Sequence, residues 1–279
     1  MRFQHTIQPK MVIIGIYLLL FPFLLSAQPT LKISSPNVPP FVYQKSIPFY
    51  GCGLGCEIVQ EAFRAVSLQS EVYIVPLTRA VWSVIENKST ASLGFYQWFK
   101  AEGFASEVEK VDILAMNLTL FYKKKHFPDG FEFHQFADLL PYTISSVRGG
   151  VFTDAYEKAG LNVSYSSRIE QNIMKLEAER VDLAVIAELS GWQIIRDRYP
   201  EQIDSFATIE NPVATDFMSV MFRKEDEQLR AEFLRGLKTI AANGTYQMIM
   251  TKYYQRAGID TGRIRQDMPE YLRVPEAKQ

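Results

Sequence analysis

Two successive runs of short β-rich segments, each alternating with amphipathic helical patterns, restrict this chain to a narrow set of architectures. In the first run the pattern predicts strands at Leu31–Ser34, Glu71–Val75 and Leu93–Tyr96, with helices over Ile58–Val66 and Thr78–Glu86. The second run predicts strands at Tyr142–Val147, Val163–Ser166 and Leu183–Ile186. Its helices are Phe152–Ala159 and Glu170–Arg180, and a further helix follows over Ser190–Arg198. Strands alternating with helices in this way favour parallel sheets with crossover helices over a sandwich or a bundle. The fold class is therefore α/β, built from two βαβαβ units of similar plan.

The segments Leu118–Lys123 and Phe217–Phe222 are both strand-like and flank the second unit, which makes them the natural crossings between two lobes. After the second crossing comes an amphipathic pattern over Glu227–Ala242, stopped at Asn243-Gly244, and then a shorter helix from Thr245 to about Tyr254. A chain that crosses out and back must return these helices to the first lobe, which is then discontinuous. Residues 28–116 and 217–264 form the first lobe on this reading and residues 117–216 the second. The polar stretch Arg265–Gln279, with two prolines, is expected as an arm or a disordered end.

At the N-terminus, Arg2 and Lys10 precede an apolar run from Met11 to Leu25, followed by Ser26, Ala27 and Gln28. The run is shorter than the roughly 20 residues that span a bilayer as a helix. It reads as a secretory signal peptide, residues 1–27, cut near Ala27. Removing it leaves 28 Lys and Arg against 31 Asp and Glu, a net charge of −3. Such a balance supplies no basic field for nucleic acid. Export places Cys52 and Cys56 in an oxidising compartment. Their spacing allows a bridge or two buried thiols, and a metal site would lack ligands, since only His126 and His134 remain. No cofactor motif is present.

Several stretches together resemble the family-3 extracellular solute-binding proteins, the periplasmic amino-acid-binding type that serves ABC importers. They are Leu31-Lys-Ile-Ser-Ser-Pro-Asn-Val-Pro-Pro-Phe41, Val75-Pro-Leu-Thr-Arg79 with Glu86-Asn-Lys88, and Asp138-Leu-Leu-Pro-Tyr-Thr-Ile-Ser-Ser-Val-Arg-Gly-Gly150. To these are added Met174-Lys-Leu-Glu-Ala-Glu-Arg-Val-Asp-Leu-Ala184 and Leu237–Tyr254 with Asn243-Gly-Thr-Tyr246. Their order and spacing carry the resemblance, which covers roughly residues 31–255. It implies a two-lobed protein joined by two strands that closes on a small polar solute, an amino acid or a related anion. It also implies a periplasmic location, a monomer, and a membrane partner such as an ABC importer or a receptor.

The resemblance also implies where charge should sit, and this sequence departs there. The family's carboxylate-binding arginine falls in a region reading Gly94-Phe-Tyr-Gln-Trp-Phe-Lys100, so Lys100 is the available cation. The family's amine-binding aspartate falls on Ala187, with Glu188 beside it as the substitute. From the residues themselves, Arg79 follows a strand at the start of a helix, the edge where open α/β sheets bind ligands. Gly149-Gly150-Val-Phe-Thr153 joins a strand to a helix, where free N–H groups favour an anion. Arg148 precedes it, facing either cleft or surface. Among Phe41, Tyr43, Tyr96, Trp98 and Trp192, mostly core residues, Tyr96 and Trp98 lead as ring surfaces for a ligand. Both charge anchors differ from the family pattern, which argues against an ordinary α-amino acid.

An enzyme reading needs a positioned acid or base. The two remaining histidines lie in a linker-like stretch and no hydrolase, zincin or phosphate-loop motif occurs. Glu188 alone does not make an active site, so a binding function is expected.

Overall fold

The computed structural model describes residues 30–273 apart from 47, 49, 50, 149 and 151. The signal-peptide reading of residues 1–27, and Gly149 of the expected anion turn, lie outside the described residues. No described helix is long and apolar enough to cross a membrane.

Strand β1 (Leu31–Ser35) leads through a loop to helix α1 (Leu54–Arg64), β2 (Ser70–Ile74), α2 (Leu77–Ile85), β3 (Ala91–Gly94) and the short α3 (Tyr96–Ala101). The long β4 (Val108–Lys123) then carries the chain away. Beyond it come β5 (Thr143–Val147), α4 (Thr153–Lys158), β6 (Asn162–Ser166), α5 (Glu170–Glu177), β7 (Leu183–Ala187) and α6 (Glu188–Arg198). The chain continues through β8 (Phe206–Thr208) to β9 (Ala214–Arg223), α7 (Glu227–Ala242), α8 (Thr245–Ala257) and α9 (Ile264–Asp267).

Hydrogen bonding runs in the order β2-β1-β3-β9-β4-β7-β5-β6, with β8 on β4. The β1–β2, β1–β3, β5–β6 and β5–β7 pairs are parallel, as the crossover helices require. The two strands that join the halves run antiparallel. Val108–Leu118 of β4 pairs with β9, and Leu118–Tyr122 of the same strand pairs with β7. The result is two α/β lobes on one curled sheet, with β4 shared between them.

The crossings therefore begin earlier than Leu118 and Phe217. Glu109, Lys110 and Asp112 hide the first half of β4 in the sequence because they interrupt its apolar alternation. Tyr96 opens a helix rather than ending β3. The stretch after Ile264 is also not a free arm as far as Arg273. Ile264, Met268 and Leu272 are buried in the first lobe's core, so three apolar residues spaced by four fasten a stretch that is polar on average.

Packing in the first lobe centres on α1 and α7. Phe233 of α7 is fully buried against Phe63 and Phe222, with ring centroids 4.8 and 5.5 Å away. Gly236, one turn on, lets the helices approach so closely that a Cβ there would lie 1.9 Å from the Ala62 carbonyl oxygen. Helix α1 starts four residues earlier than its pattern suggests. Gly53 (φ 109°) turns the chain into it, directly against the Phe41 backbone. Cys52 and Cys56 are joined across this helix start, their Cα atoms 5.7 Å apart. Alkylation of the folded, denatured and reduced protein followed by intact-mass measurement is expected to add two labels only after reduction. Two labels without reductant would reject the bridge.

Candidate functional site

Where the lobes face each other, the carboxyl ends of their parallel strands border a half-open cavity of about 160 Å³. The first lobe contributes Val38 and Phe41 from the loop after β1, and Phe95 directly after β3. Met116 and Leu118 form a floor from β4, at the point where that strand leaves β9 for β7. Ser146 and Val147 follow from β5, Gly150 from the loop after it, Phe152 and Tyr156 from the α4 region, and Val185, Ile186 and Ala187 from β7. Ile169 and Ser190 close the rim. These positions follow from topology, since residues at the C-terminal ends of parallel strands meet in the crevice.

The lobes touch across this crevice. Ser190 Oγ donates to the Pro39 carbonyl at 3.1 Å, and Gln193 Nε2 donates to Tyr43 Oη at 2.6 Å. Behind the floor, Arg263 makes a bidentate pair with Glu188, both N–O distances 2.9 Å. Asn117 of β4 donates to Asp267 at 2.7 Å, and the buried Tyr254 hydroxyl donates to the other oxygen of that carboxylate at 2.7 Å. Burial, and then the Asp267 charge, push the Tyr254 phenol well above its ordinary pKa, so it stays a donor.

No protein-family model matches the chain, and no curated protein sequence does either. Solved structures do. A histidine kinase sensor domain with similarity to periplasmic binding proteins superposes with a TM-score of 0.63 at 16% identity, covering 80% of this chain and 95% of that one. The GluR0 ligand-binding core in complex with L-glutamate gives 0.66 at 12% identity, covering 81% and 99%. A structure from work on glutathione import by GshT and the cystine importer TcyBC of Streptococcus mutans gives 0.64 at 16% identity, covering 88% and 99%. The chain has the periplasmic-binding-protein fold. Open α/β sheets bind ligands in the crevice at the carboxyl ends of their strands, and the cavity above lies in such a crevice.

Of the residues expected to bind, the periplasmic-binding-protein cleft brings together only Phe41 and Gly150. Arg79 is exposed and lines a separate outer depression with Trp82, Glu86 and Lys88 that shares no residue with the cleft. Lys100 is exposed on α3. Tyr96 donates its hydroxyl to the Ala105 carbonyl at 3.0 Å, which turns the ring into the lobe. Trp98 packs edge-on to Phe95 at 5.0 Å and lies over Gly94, so it supports the cleft wall instead of forming it. Arg148 is exposed over the Tyr165 ring, 5.2 Å from its centroid. The Glu188 carboxylate is taken by Arg263.

Gly150 and Thr153, described residues of the expected anion turn, are committed to each other and to Val147. The Gly150 N–H donates to the Val147 carbonyl at 3.1 Å, while Thr153 Oγ1 donates to the Gly150 carbonyl at 2.9 Å. Both groups close the turn on itself.

Sequence reasoning missed Phe95, Met116 and Tyr156. The available signal for Phe95 was its place immediately after a strand; for Met116 and Tyr156 nothing distinguished a cleft side chain from a core one. Tyr156 is 1% exposed, its ring held edge-on to Phe136 at 5.7 Å and tilted against Phe152 at 5.8 Å. Its hydroxyl is buried without a well-formed hydrogen bond. Burial raises the phenol's pKa, opposed in part by the neighbouring Ser146, so the group is neutral at physiological pH.

Proposed function

We propose that this protein is an extracytoplasmic solute-binding protein, a divergent relative of the amino-acid-binding type, without catalytic activity. A small molecule enters the crevice, touches both walls, and stabilises a closed arrangement about β4 and β9. The observation that carries this reading is the cavity at the carboxyl ends of both sets of parallel strands, floored by the strand that joins the lobes. Contacts to both lobes are complete only on closure, so ligand shifts the population toward it. An ABC importer would then receive the closed, monomeric protein.

A second reading, a sensory module that hands closure to a membrane receptor, is favoured by the likeness to a histidine kinase sensor domain. Both readings use the same binding step. A thermal-shift screen against amino acids, small peptides, organic acids, polyamines, sugars and neutral aromatic compounds tests that step, because ligand bound to the native state alone raises stability. At least one class is expected to raise the melting temperature and to reduce the radius of gyration in solution scattering. A hit that leaves the radius unchanged would reject closure. Arg79→Ala is expected to leave the affinity of any hit within about twofold, as suits a charge outside the cleft, and a tenfold loss in calorimetry would bring Arg79 back into the site.

A further inference from the structure

We propose that the cleft takes a neutral molecule about the size of a single ring, carrying one hydrogen-bonding group that meets the Tyr156 hydroxyl and Ser146. This inference rests on the solute-capture reading and specifies its ligand class.

Charge is the first consideration. None of the described residues lining the cavity is an Asp, Glu, Lys, Arg or His. A zwitterion held against these walls would find no opposite charge on them, and each charged end turned inward would be an unpaired buried ion, which is costly. The cations and carboxylates that could have served are engaged or elsewhere. Glu188 is paired with Arg263, and Arg79 lies in the outer depression. Glu170, Asp197 and Arg198 line an adjoining depression together with Pro39 and Pro40, which meets this cavity at Ile169 and Ser190.

Shape and surface come next. Phe41, Phe95, Met116, Leu118, Phe152 and Val185 present rings and branched or flexible apolar side chains to a cavity of about 160 Å³. An apolar cavity of roughly 150 Å³ in a protein core takes up benzene, so this one matches a single ring with a small substituent.

The third observation points to the polar group. Tyr156 Oη is buried and lacks a well-formed partner, an arrangement that proteins avoid unless something else satisfies it. The Tyr156 side chain lines the cavity beside Ser146, itself almost fully buried; the hydroxyl is sealed from solvent as the structure stands and comes within a ligand's reach as the walls adjust around it, while the remaining cleft hydroxyl, on Ser190, already donates to Pro39. A ligand carbonyl, amide or hydroxyl would accept from or donate to this pair. Phe136 and Phe152 clamp the Tyr156 ring, so the hydroxyl is positioned before ligand arrives.

The test is calorimetry on the purified protein with benzamide, p-cresol and benzyl alcohol, set against L-phenylalanine, which puts a zwitterionic end on a ring of the same size, and against L-glutamate and L-arginine. The neutral compounds are expected to bind and the charged ones to bind at least tenfold more weakly. Tyr156→Phe should weaken the neutral compounds about tenfold, the loss of one hydrogen bond. Without ligand it should melt no lower than the parent, because the hydroxyl it removes is buried without a hydrogen bond of good geometry. A lower melting temperature with unchanged affinity would make the hydroxyl structural and overturn its assignment. Binding of an amino acid in preference to the neutral compounds would overturn the ligand class and leave solute capture standing. Silence from these probes and from every class of the wider screen would remove both.

Discussion

Gly236→Val is expected to lower the stability of the protein by about 3 kcal/mol, at the upper end of the usual cost of overpacking a core. Helix propensity alone points the other way, since glycine is roughly 1 kcal/mol worse than alanine inside a helix. The close approach of α7 to α1 decides the sign. A Cβ at Gly236 would sit 1.9 Å from the Ala62 carbonyl oxygen and 3.2 Å from Val66 Cγ1, and the first of these is backbone that cannot rotate away. The helices must separate, and Phe233 loses part of its packing on Phe63 and Phe222. For a domain of this size about 3 kcal/mol corresponds to a fall of roughly 6–12 °C in melting temperature. A melting temperature equal to or above that of the parent protein would show that the α1–α7 interface is looser than described.

Arg263→Ala carries the second largest expected effect, about 2 kcal/mol. It leaves the Glu188 carboxylate, 14% exposed, without its bidentate partner. Removing one partner of a fully buried pair costs roughly 3–5 kcal/mol. Arg263 is 31% exposed, so water recovers part of that loss. The double variant with Glu188→Ala should cost less than the sum of the single changes by about 1 kcal/mol or more, as expected of groups in direct contact. Urea titration of the four proteins measures this, and additive effects would mean the pair contributes nothing to the fold. The pair joins α6 to the C-terminal segment across the back of the cleft. Its loss should therefore also widen the particle in solution scattering without ligand.

The two βαβαβ units were legible because period-two and period-3.6 patterns are strong within each segment. Strand β7, expected over Leu183–Ile186, is Leu183–Ala187, and α2, expected over Thr78–Glu86, is Leu77–Ile85. Where partner geometry decides, the pattern fails. The first half of β4 carries Glu109, Lys110 and Asp112, yet it forms a ladder because β9 runs beside it. The stretch from Ile264 to Arg273 looks polar, yet its few apolar residues meet a core assembled from elements distant in sequence.

The site was legible to a smaller degree for the same reason. Phe41 and Gly150 could be placed because they lie in loops that follow strands. Charged residues attracted attention as candidates, but a guanidinium or carboxylate says nothing in sequence about its partner. Glu188 meets Arg263 across 75 positions, and no local pattern encodes that pair. Conversely, Met116 and Tyr156 look like core residues, and whether an apolar side chain faces a core or a crevice depends on which lobe it opposes.

The shared strand also sets an order of assembly during synthesis. Strands β5, β6 and β7 leave the ribosome within one stretch, residues 143–187, together with the helices that cover them. The first lobe begins at Leu31 but has no inner neighbour for β3 until β9 arrives at residues 214–223, and no cover for α1 until α7 follows. Contacts so distant in sequence form late, because loop closure must precede them. The lobe whose residues come first in the chain is thus expected to be completed last. In pulse-labelled refolding, amides of β5 and β7 should gain protection before those of β1 and β3; the reverse order would place the nucleus in the discontinuous lobe.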